Sequence, residues 1–202
     1  MQLETDCLFA VFDKSVLSKE YSFDCGDCDL NDFFKNDAIN YAEQLLGRSY
    51  YFGSKKSGDI VGLFTVSNAS IRVSDLPNNS KRRLGKEIPW AKQGRNYPAV
   101  LVGRLGVNLK YKAMGLGSQI LDFIKAWFVS EKNKTGCRFI IVDAYNNPKS
   151  CDFYVRNGFS FLFKDEIAEK SYNSISENEQ LKTRLMYFDL ITIIHQCNSQ
   201  LP

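Results

Sequence analysis

Ala99-Val100-Leu101-Val102-Gly103-Arg104-Leu105-Gly106-Val107, followed by Lys110-Tyr111-Lys112-Ala113-Met114-Gly115-Leu116-Gly117, is the most informative stretch of the chain. The first nine residues have the length and apolar character of a buried strand. The glycine-bearing loop leads into Ser118–Lys132, where Ile120, Leu121, Ile124, Trp127 and Phe128 recur at helical spacing. Cys137-Arg138-Phe139-Ile140-Ile141-Val142 then reads as a second buried strand. Strand, loop, helix and strand make a βαβ unit, so two neighbouring strands should run parallel inside a mixed sheet.

Other strands are expected on both sides of this unit. Leu8–Phe12 reads as a first strand, and Arg48–Gly53 and Asp59–Ser67 as a hairpin around Lys-Lys-Ser-Gly. Phe159–Phe163 and Thr183–Phe188 are final strands flanking a polar stretch at 165–182. A helix should start at Asp29, taken as its N-cap, with Leu30, Phe33, Phe34, Ala38 and Tyr41 on one face. Pro148–Arg156 reads as a short helix stopped by Asn157-Gly158. Residues 74–98, with three prolines and two glycines, read as a long irregular excursion of the functional kind.

Composition removes whole classes of function. The chain has 202 residues, 44% of them hydrophobic, with 15 Phe and 10 Tyr, enough for one domain with a sizeable core. No apolar run approaches the roughly 18 residues of a membrane span. The N-terminus lacks the basic-then-apolar layout of a signal peptide, so a cytoplasmic protein with no membrane partner is expected. The six cysteines are irregularly spaced and are expected as thiols. Cys25-Gly26-Asp27-Cys28 is a lone CxxC with acidic neighbours, read as a turn before a helix rather than a metal or redox site. No metal is expected. His195 is the only histidine, in an apolar run near the C-terminus, so histidine catalysis is not expected.

The net charge of +3 conceals segregation. Residues 1–37 carry nine acids against Lys14, Lys19 and Lys35. Residues 77–99 carry Lys81, Arg82, Arg83, Lys86, Lys92 and Arg95 against Glu87 alone. A basic segment of this kind suits an anionic partner or a solvated loop. The glycine loop suits an anion as well. Gly115 and Gly117 permit close approach, and a helix start presents unsatisfied amides and a positive dipole end to a diphosphate. A strand–glycine–helix turn without a ligand fits the same residues, and neither Walker A nor a full dinucleotide fingerprint is present.

Arg104–Asn108 followed by Lys112–Ser118 resembles the acyl-CoA signature of the GNAT N-acetyltransferase superfamily, Q/R-x-x-G-x-G/A, with Lys112 where Gln or Arg is usual. Asn147, Ser150 and Phe153-Tyr154-Val155-Arg156-Asn157-Gly158-Phe159 resemble the family's second signature. The resemblance is best over 99–163. It implies one GNAT domain over 1–202, with a mixed, mostly antiparallel twisted sheet of about six to seven strands. The central parallel pair would splay at the acyl-CoA site, and helices would cover both faces. Acetyl-CoA would be the cosubstrate, held by Leu105, Gly106, Val107, Lys112, Ala113, Met114, Gly115, Leu116, Gly117, Ser118 and Asn147.

The implied reaction is direct attack of a primary amine on the thioester through a tetrahedral intermediate. A bulged strand at Leu105–Val107 would donate to the carbonyl oxygen. Tyr154 would protonate the departing thiolate, a phenol near pKa 10 being mostly protonated at neutral pH. Glu87, Asp143 and Tyr145 are candidate bases, with water as another. Cys151, one turn before Tyr154, is expected to be a buried packing residue. Phe23-Asp24-Cys25-Gly26, Asp29–Phe34 and Val102–Leu105 resemble the toxin-type subgroup, whose members acetylate aminoacyl-tRNA and are neutralised by ribbon-helix-helix antitoxins. Arg82, Arg83, Arg95 and Arg104 are the expected acceptor-binding cations. An unidentified small amine, a non-catalytic CoA-binding module and a homodimer all remain open from the residues.

Overall fold

The computed structural model describes residues 1–18, 22–90, 95–133 and 136–199, without the side chains of 197–199. Lys19, Glu20, Lys92, Gly94 and the Cys197 thiol therefore lie outside it. The chain divides into two compact units, residues 1–68 with 102–127, and residues 69–101 with 128–202.

The first unit contains α1 (Leu3–Asp6), β1 (Cys7–Val11), α2 (Lys14–Leu17), α3 (Cys28–Asp32), α4 (Ala38–Glu43) and β2 (Arg48–Ser54). It also holds most of β3 (Ile60–Arg72), the end of β4 (Asn96–Val107) and nearly all of α6 (Leu116–Val129). β1 pairs antiparallel with β2, and β2 with β3. One face is aromatic. Phe9 lies 4.5 Å from Phe123 and 5.4 Å from Trp127, ring centre to ring centre, and Tyr50 lies 4.8 Å from Trp127. Beneath α3 and α4, Phe12, Phe23, Phe34, Ala38, Ile60 and Leu63 form a second cluster. The helix expected from Asp29 is capped instead by Asp27, whose carboxylate accepts from Leu30 N at 3.0 Å. It passes through a π-helical turn at Phe33–Asp37 before α4.

The second unit contains α5 (Asn78–Leu84), β5 (Phe139–Tyr145), α7 (Pro148–Arg156), β6 (Ser160–Phe161), α8 (Glu166–Tyr172), β7 (Thr183–Asp189) and α9 (Ile191–Ser199). Its core includes Ile71, Leu84, Tyr97, Phe139, Leu162, Phe163 and Tyr187. One expectation is corrected here, and two stretches left without an assigned element gain one. Residues 74–98 are not wholly irregular, because α5 buries Ser80 and Leu84. The polar 165–182 stretch holds α8, capped by Asp165. The apolar C-terminal run is a helix, with His195 exposed and 3.7 Å from Glu87.

Among the described residues seven strands lie in the order β1-β2-β3-β4-β5-β7-β6. The parallel pair runs as expected from the βαβ pattern, with Ala99, Val100 and Leu101 opposite Phe139, Ile140 and Ile141. Both strands continue beyond that register, β4 to Val107 and β5 to Tyr145. The other described pairings are antiparallel.

α8 is held by a buried charge. Glu169 is 1% exposed and accepts from Arg184 Nε at 2.7 Å and from the backbone amide of Leu185. Burial raises the Glu169 carboxyl above its ordinary value despite these two donors. A buried ion that keeps its partners is tolerated, whereas one that loses them is expensive. Glu169→Ala strands the Arg184 guanidinium and the Leu185 amide together. It should lower unfolding free energy by about 3 kcal/mol in urea titrations, with Glu169→Gln, which keeps one acceptor, costing less.

Candidate active site

The exit of β4 is fixed by Asn108, which is 6% exposed. Its carboxamide Nδ2 donates to Ile60 O at 3.0 Å and Ser22 O at 3.3 Å, and its Oδ1 accepts from Lys110 N at 3.1 Å. Its own amide donates to Val61 O at 2.9 Å. The next turn, Leu109–Tyr111, is moored from two further sides. Leu109 N donates to Asp24 O at 2.7 Å. Asp59 accepts from Lys110 Nζ, from Tyr111 Oη at 2.7 Å and from Ser57 Oγ at 2.7 Å. Those three donors hold the Asp59 carboxyl far below the usual carboxylate range, so it stays an anion and keeps the turn clamped.

The 23–31 segment belongs to the same mooring. Asp24 accepts from Gly26 N at 2.8 Å and from Asn31 Nδ2 at 2.7 Å, while Asn31 Oδ1 accepts from Cys25 N at 3.0 Å. Gly26 takes a φ of +79°, and a Cβ there would sit 3.1 Å from Leu109 Cδ2. The CxxC is therefore a turn into α3, as its sequence suggests. Burial first, then Asp27 and Asp24, push the Cys25 thiol up and keep it unreactive. Gly106 is buried for packing, since a Cβ would meet Phe23 Cζ at 3.1 Å and Cys25 at 3.2 Å. Leu105 and Val107 flank it, half-buried.

Beyond the moored turn the chain opens. Lys112, Ala113, Met114 and Gly115 are exposed. Ala113 and Gly115 both have positive φ, +64° and +71°, and a Cβ on Gly115 would meet nothing within 4 Å. α6 begins at Leu116, two residues before the expected Ser118. Gly115 thus stands at the N-cap, where most helices place a side-chain acceptor. With no side chain there, the amides of Leu116, Gly117 and Ser118 keep their first-turn donors for a ligand. First-turn donors beside open space at the positive end of a 14-residue helix suit an anion such as a diphosphate. Leu116, Ile120, Leu121 and Ile124 are buried beneath it and fix its axis.

Tyr154 and Asn147 lie in the second unit, on α7. Asn147 is the N-cap of α7, accepting from Ser150 N at 2.9 Å, with Pro148 in the first turn. Gly158 ends the helix at φ +81°, as the Asn-Gly pair predicts. Tyr154 is half-buried, its ring 5.1 Å from Phe153 and 5.4 Å from Phe159, and among the described residues its hydroxyl has no hydrogen-bond partner. Burial, with a smaller contribution from the Asp143 carboxylate, pushes it up to about 12. Cys151 is half-buried rather than buried, its thiol 3.6 Å from Tyr145 O and raised by burial.

The expected acceptor cations separate. Arg83 Nη2 donates to Phe161 O at 2.7 Å and Leu162 O at 3.0 Å, and its guanidinium lies 5.4 Å over the Tyr187 ring. It clamps α5 in place. Arg104 stacks at 4.8 Å over Phe33 and donates to Gly103 O, and its buried Nε has no hydrogen-bond partner among the described residues. Arg82 and Arg95 are exposed. The roles of Asn108, Asp24 and Asp59 were not singled out from sequence. Only the position of Asn108 at the end of an apolar strand hints at its part. No cluster of three or more His, Cys, Asp or Glu suited to a metal occurs among the described residues.

The model for the acetyltransferase (GNAT) family matches residues 15–159. A tRNA-acetylating toxin of Mycobacterium tuberculosis (strain ATCC 25618 / H37Rv) is 28% identical over 146 residues, 72% of this chain and 81% of that protein. The solved structure of AtaT complexed with acetyl-methionyl-tRNAfMet has a TM-score of 0.68 at 22% identity, covering 95% of this chain and 99% of that one. A Tyr-to-Phe mutant of the AtaT toxin, bound to the C-terminus of the antitoxin AtaR and acetyl-CoA, has a TM-score of 0.64 at 18% identity, covering 95% and 98%. With more than half its length matched by the family model, the chain belongs to the GNAT family of acetyltransferases and is an acyl-CoA N-acyltransferase.

Proposed function

We propose that this enzyme acetylates the amino group of aminoacyl-tRNA, with acetyl-CoA as donor, and acts as the toxin of a toxin–antitoxin pair. The observation that carries the reading is the match over most of the chain to a relative named as a tRNA-acetylating toxin. The AtaT structures described with acetyl-methionyl-tRNAfMet and with AtaR support tRNA as acceptor and an antitoxin as partner. A ribbon-helix-helix antitoxin and a cytoplasmic site of action fit this reading. The exposed cations of α5 and its flank, Arg82, Lys86 and Arg95, would neutralise phosphates.

Bound acetyl-CoA supplies an activated acyl thioester. The chain's own residues would do three things. The amides of Leu116, Gly117 and Ser118, opened by Gly115 and Ala113, would hold the pyrophosphate. Backbone amides of Leu105–Val107 would donate to the carbonyl oxygen as its charge grows. Tyr154 would hold a proton for the departing thiolate. Its raised pKa keeps the hydroxyl protonated across the working range, so the proton is in place when the thiolate leaves.

Four measurements test the reading. Gly117→Glu places bulk and like charge at the phosphates, so calorimetry should show acetyl-CoA binding abolished. Unchanged affinity would move the site elsewhere. Tyr154→Phe keeps the ring and its packing, so kcat should fall about 10²–10⁴-fold with little change in KM. The raised phenol pKa means protonation is lost only at high pH, so wild type should show no falling limb from Tyr154 below about pH 11. Finally, thiol release from acetyl-CoA should be faster with bulk aminoacylated tRNA than with a panel of free amines, and should weaken steeply with salt. A free amine used in preference, without salt dependence, would assign a small-molecule acceptor instead.

A further inference from the structure

Trp90 makes two unfavourable concessions at once. It is 80% exposed, and its φ of +57° puts a bulky residue in the left-handed region. Among the described residues no ring or cation packs on it. The chain's other tryptophan, Trp127, lies within the aromatic cluster of Phe9, Tyr50 and Phe123. Nothing within the described fold repays the exposure of Trp90.

Its setting is rigid and positive. α5, which precedes it, is fastened by Ser80 Oγ to Leu162 O at 2.8 Å, by the Arg83 clamp and by Leu84, 2% exposed. The chain then turns through Ile88 N to Gly85 O at 3.2 Å, and Pro89 leads to Trp90. Lys81 is engaged by Ser74 O at 2.8 Å. Arg82 and Lys86 are exposed, with no ion-pair partner among the described residues, and the one nearby acid in sequence, Glu87, faces His195.

From this juxtaposition we propose that Trp90 is a stacking platform for an unpaired nucleotide base of the acceptor RNA, with Arg82 and Lys86 holding the adjoining phosphates. The proposal rests on the aminoacyl-tRNA reading and names a contact for it. An exposed aromatic side chain within eight residues of two exposed cations that have no ion-pair partner among the described residues has the makings of a site for single-stranded nucleic acid. The amino acid of a charged tRNA is carried on an unpaired end, so bases free to stack lie next to the reacting amine. A protein partner would also accept a tryptophan anchor, but would leave these cations unmatched unless it were acidic.

Two readouts test the platform, one independent of turnover. The first is tryptophan emission titrated with uncharged tRNA, where quenching present in wild type should vanish in Trp90→Phe, which leaves only Trp127. The second is kinetics with charged tRNA. Trp90→Ala should raise the tRNA KM about 5- to 100-fold and leave the acetyl-CoA KM unchanged, while Trp90→Phe, which still stacks, should stay within about threefold. Arg82→Ala should reduce the slope of log affinity against log salt by about one. Wild-type acetylation of charged tRNA with Trp90→Ala equal to wild type, and no Trp90-dependent quenching, would overturn this proposal alone. Absence of both tRNA acetylation and quenching in wild type would overturn the acceptor reading along with it. Emission that shifts with protein concentration but not with RNA would assign Trp90 to a second copy of the chain and overturn the proposal.

Discussion

The buried carboxamide of Asn108 is the constraint on which the candidate cofactor site depends. A loop can present amides to a diphosphate only if the strand before it ends in a fixed place. Asn108 sets that place by using both ends of its side chain, on Ile60 O, Ser22 O and Lys110 N. Each such bond contributes only about 1 kcal/mol net, but an unpaired buried amide would cost more than that, so the group has strong reason to stay where it is. Asp59 and Asp24 hold the following turn from the hairpin and from the 23–31 segment. The loop therefore opens, without such moorings, from Lys112 to Gly115, where the proposed diphosphate contact would need it.

This mooring gives a physical meaning to the motif around Asp24. Phe23-Asp24-Cys25-Gly26 with Asn31 looks from sequence like a subgroup label attached to a helix start. In the fold it is a small hydrogen-bonded loop whose Asp24 carbonyl receives the Leu109 amide and whose Phe23 and Cys25 lie against Gly106. The same packing explains why position 106 has no side chain: the space is occupied from the other side. A motif separated from the glycine loop by some eighty residues is thus part of the loop's support.

Basic residues divide along similar lines. Counted in sequence, residues 77–99 are a positive stretch. In the fold, Arg83 is spent on the carbonyls of Phe161 and Leu162 and on the Tyr187 ring, and Lys81 on Ser74 O. Arg82 and Lys86 remain exposed. Charge segregation in a sequence therefore overstates the positive surface offered to a ligand. Side chains a few residues apart on one short helix can serve as a clamp and as a contact surface.

What the sequence by itself determined follows from short-range physics. Apolar runs of strand length around a helix of period 3.6 specified the parallel pair, and Asn157-Gly158 specified the end of α7 through a left-handed backbone that glycine takes readily. The two glycines at a strand-to-helix turn suggested the proposed anion loop, and the resemblance of Asn147–Phe159 to the family's second signature suggested Tyr154 as the proposed acid. What only the tertiary structure decided depends mostly on partners distant in the chain, the local choice of a helix cap aside. Asp27 rather than Asp29 caps α3, a choice among three nearby acids that local propensity does not make. α5 formed in a stretch that read as irregular and α8 in one that read only as polar, because their stability comes from Leu84, Arg83 and Glu169 finding buried partners elsewhere rather than from their own periodicity. Asn108 is the clearest case: an asparagine at a strand end is an ordinary residue until the carbonyls of Ile60 and Ser22, supplied by segments 48 and 86 residues away, converge on it.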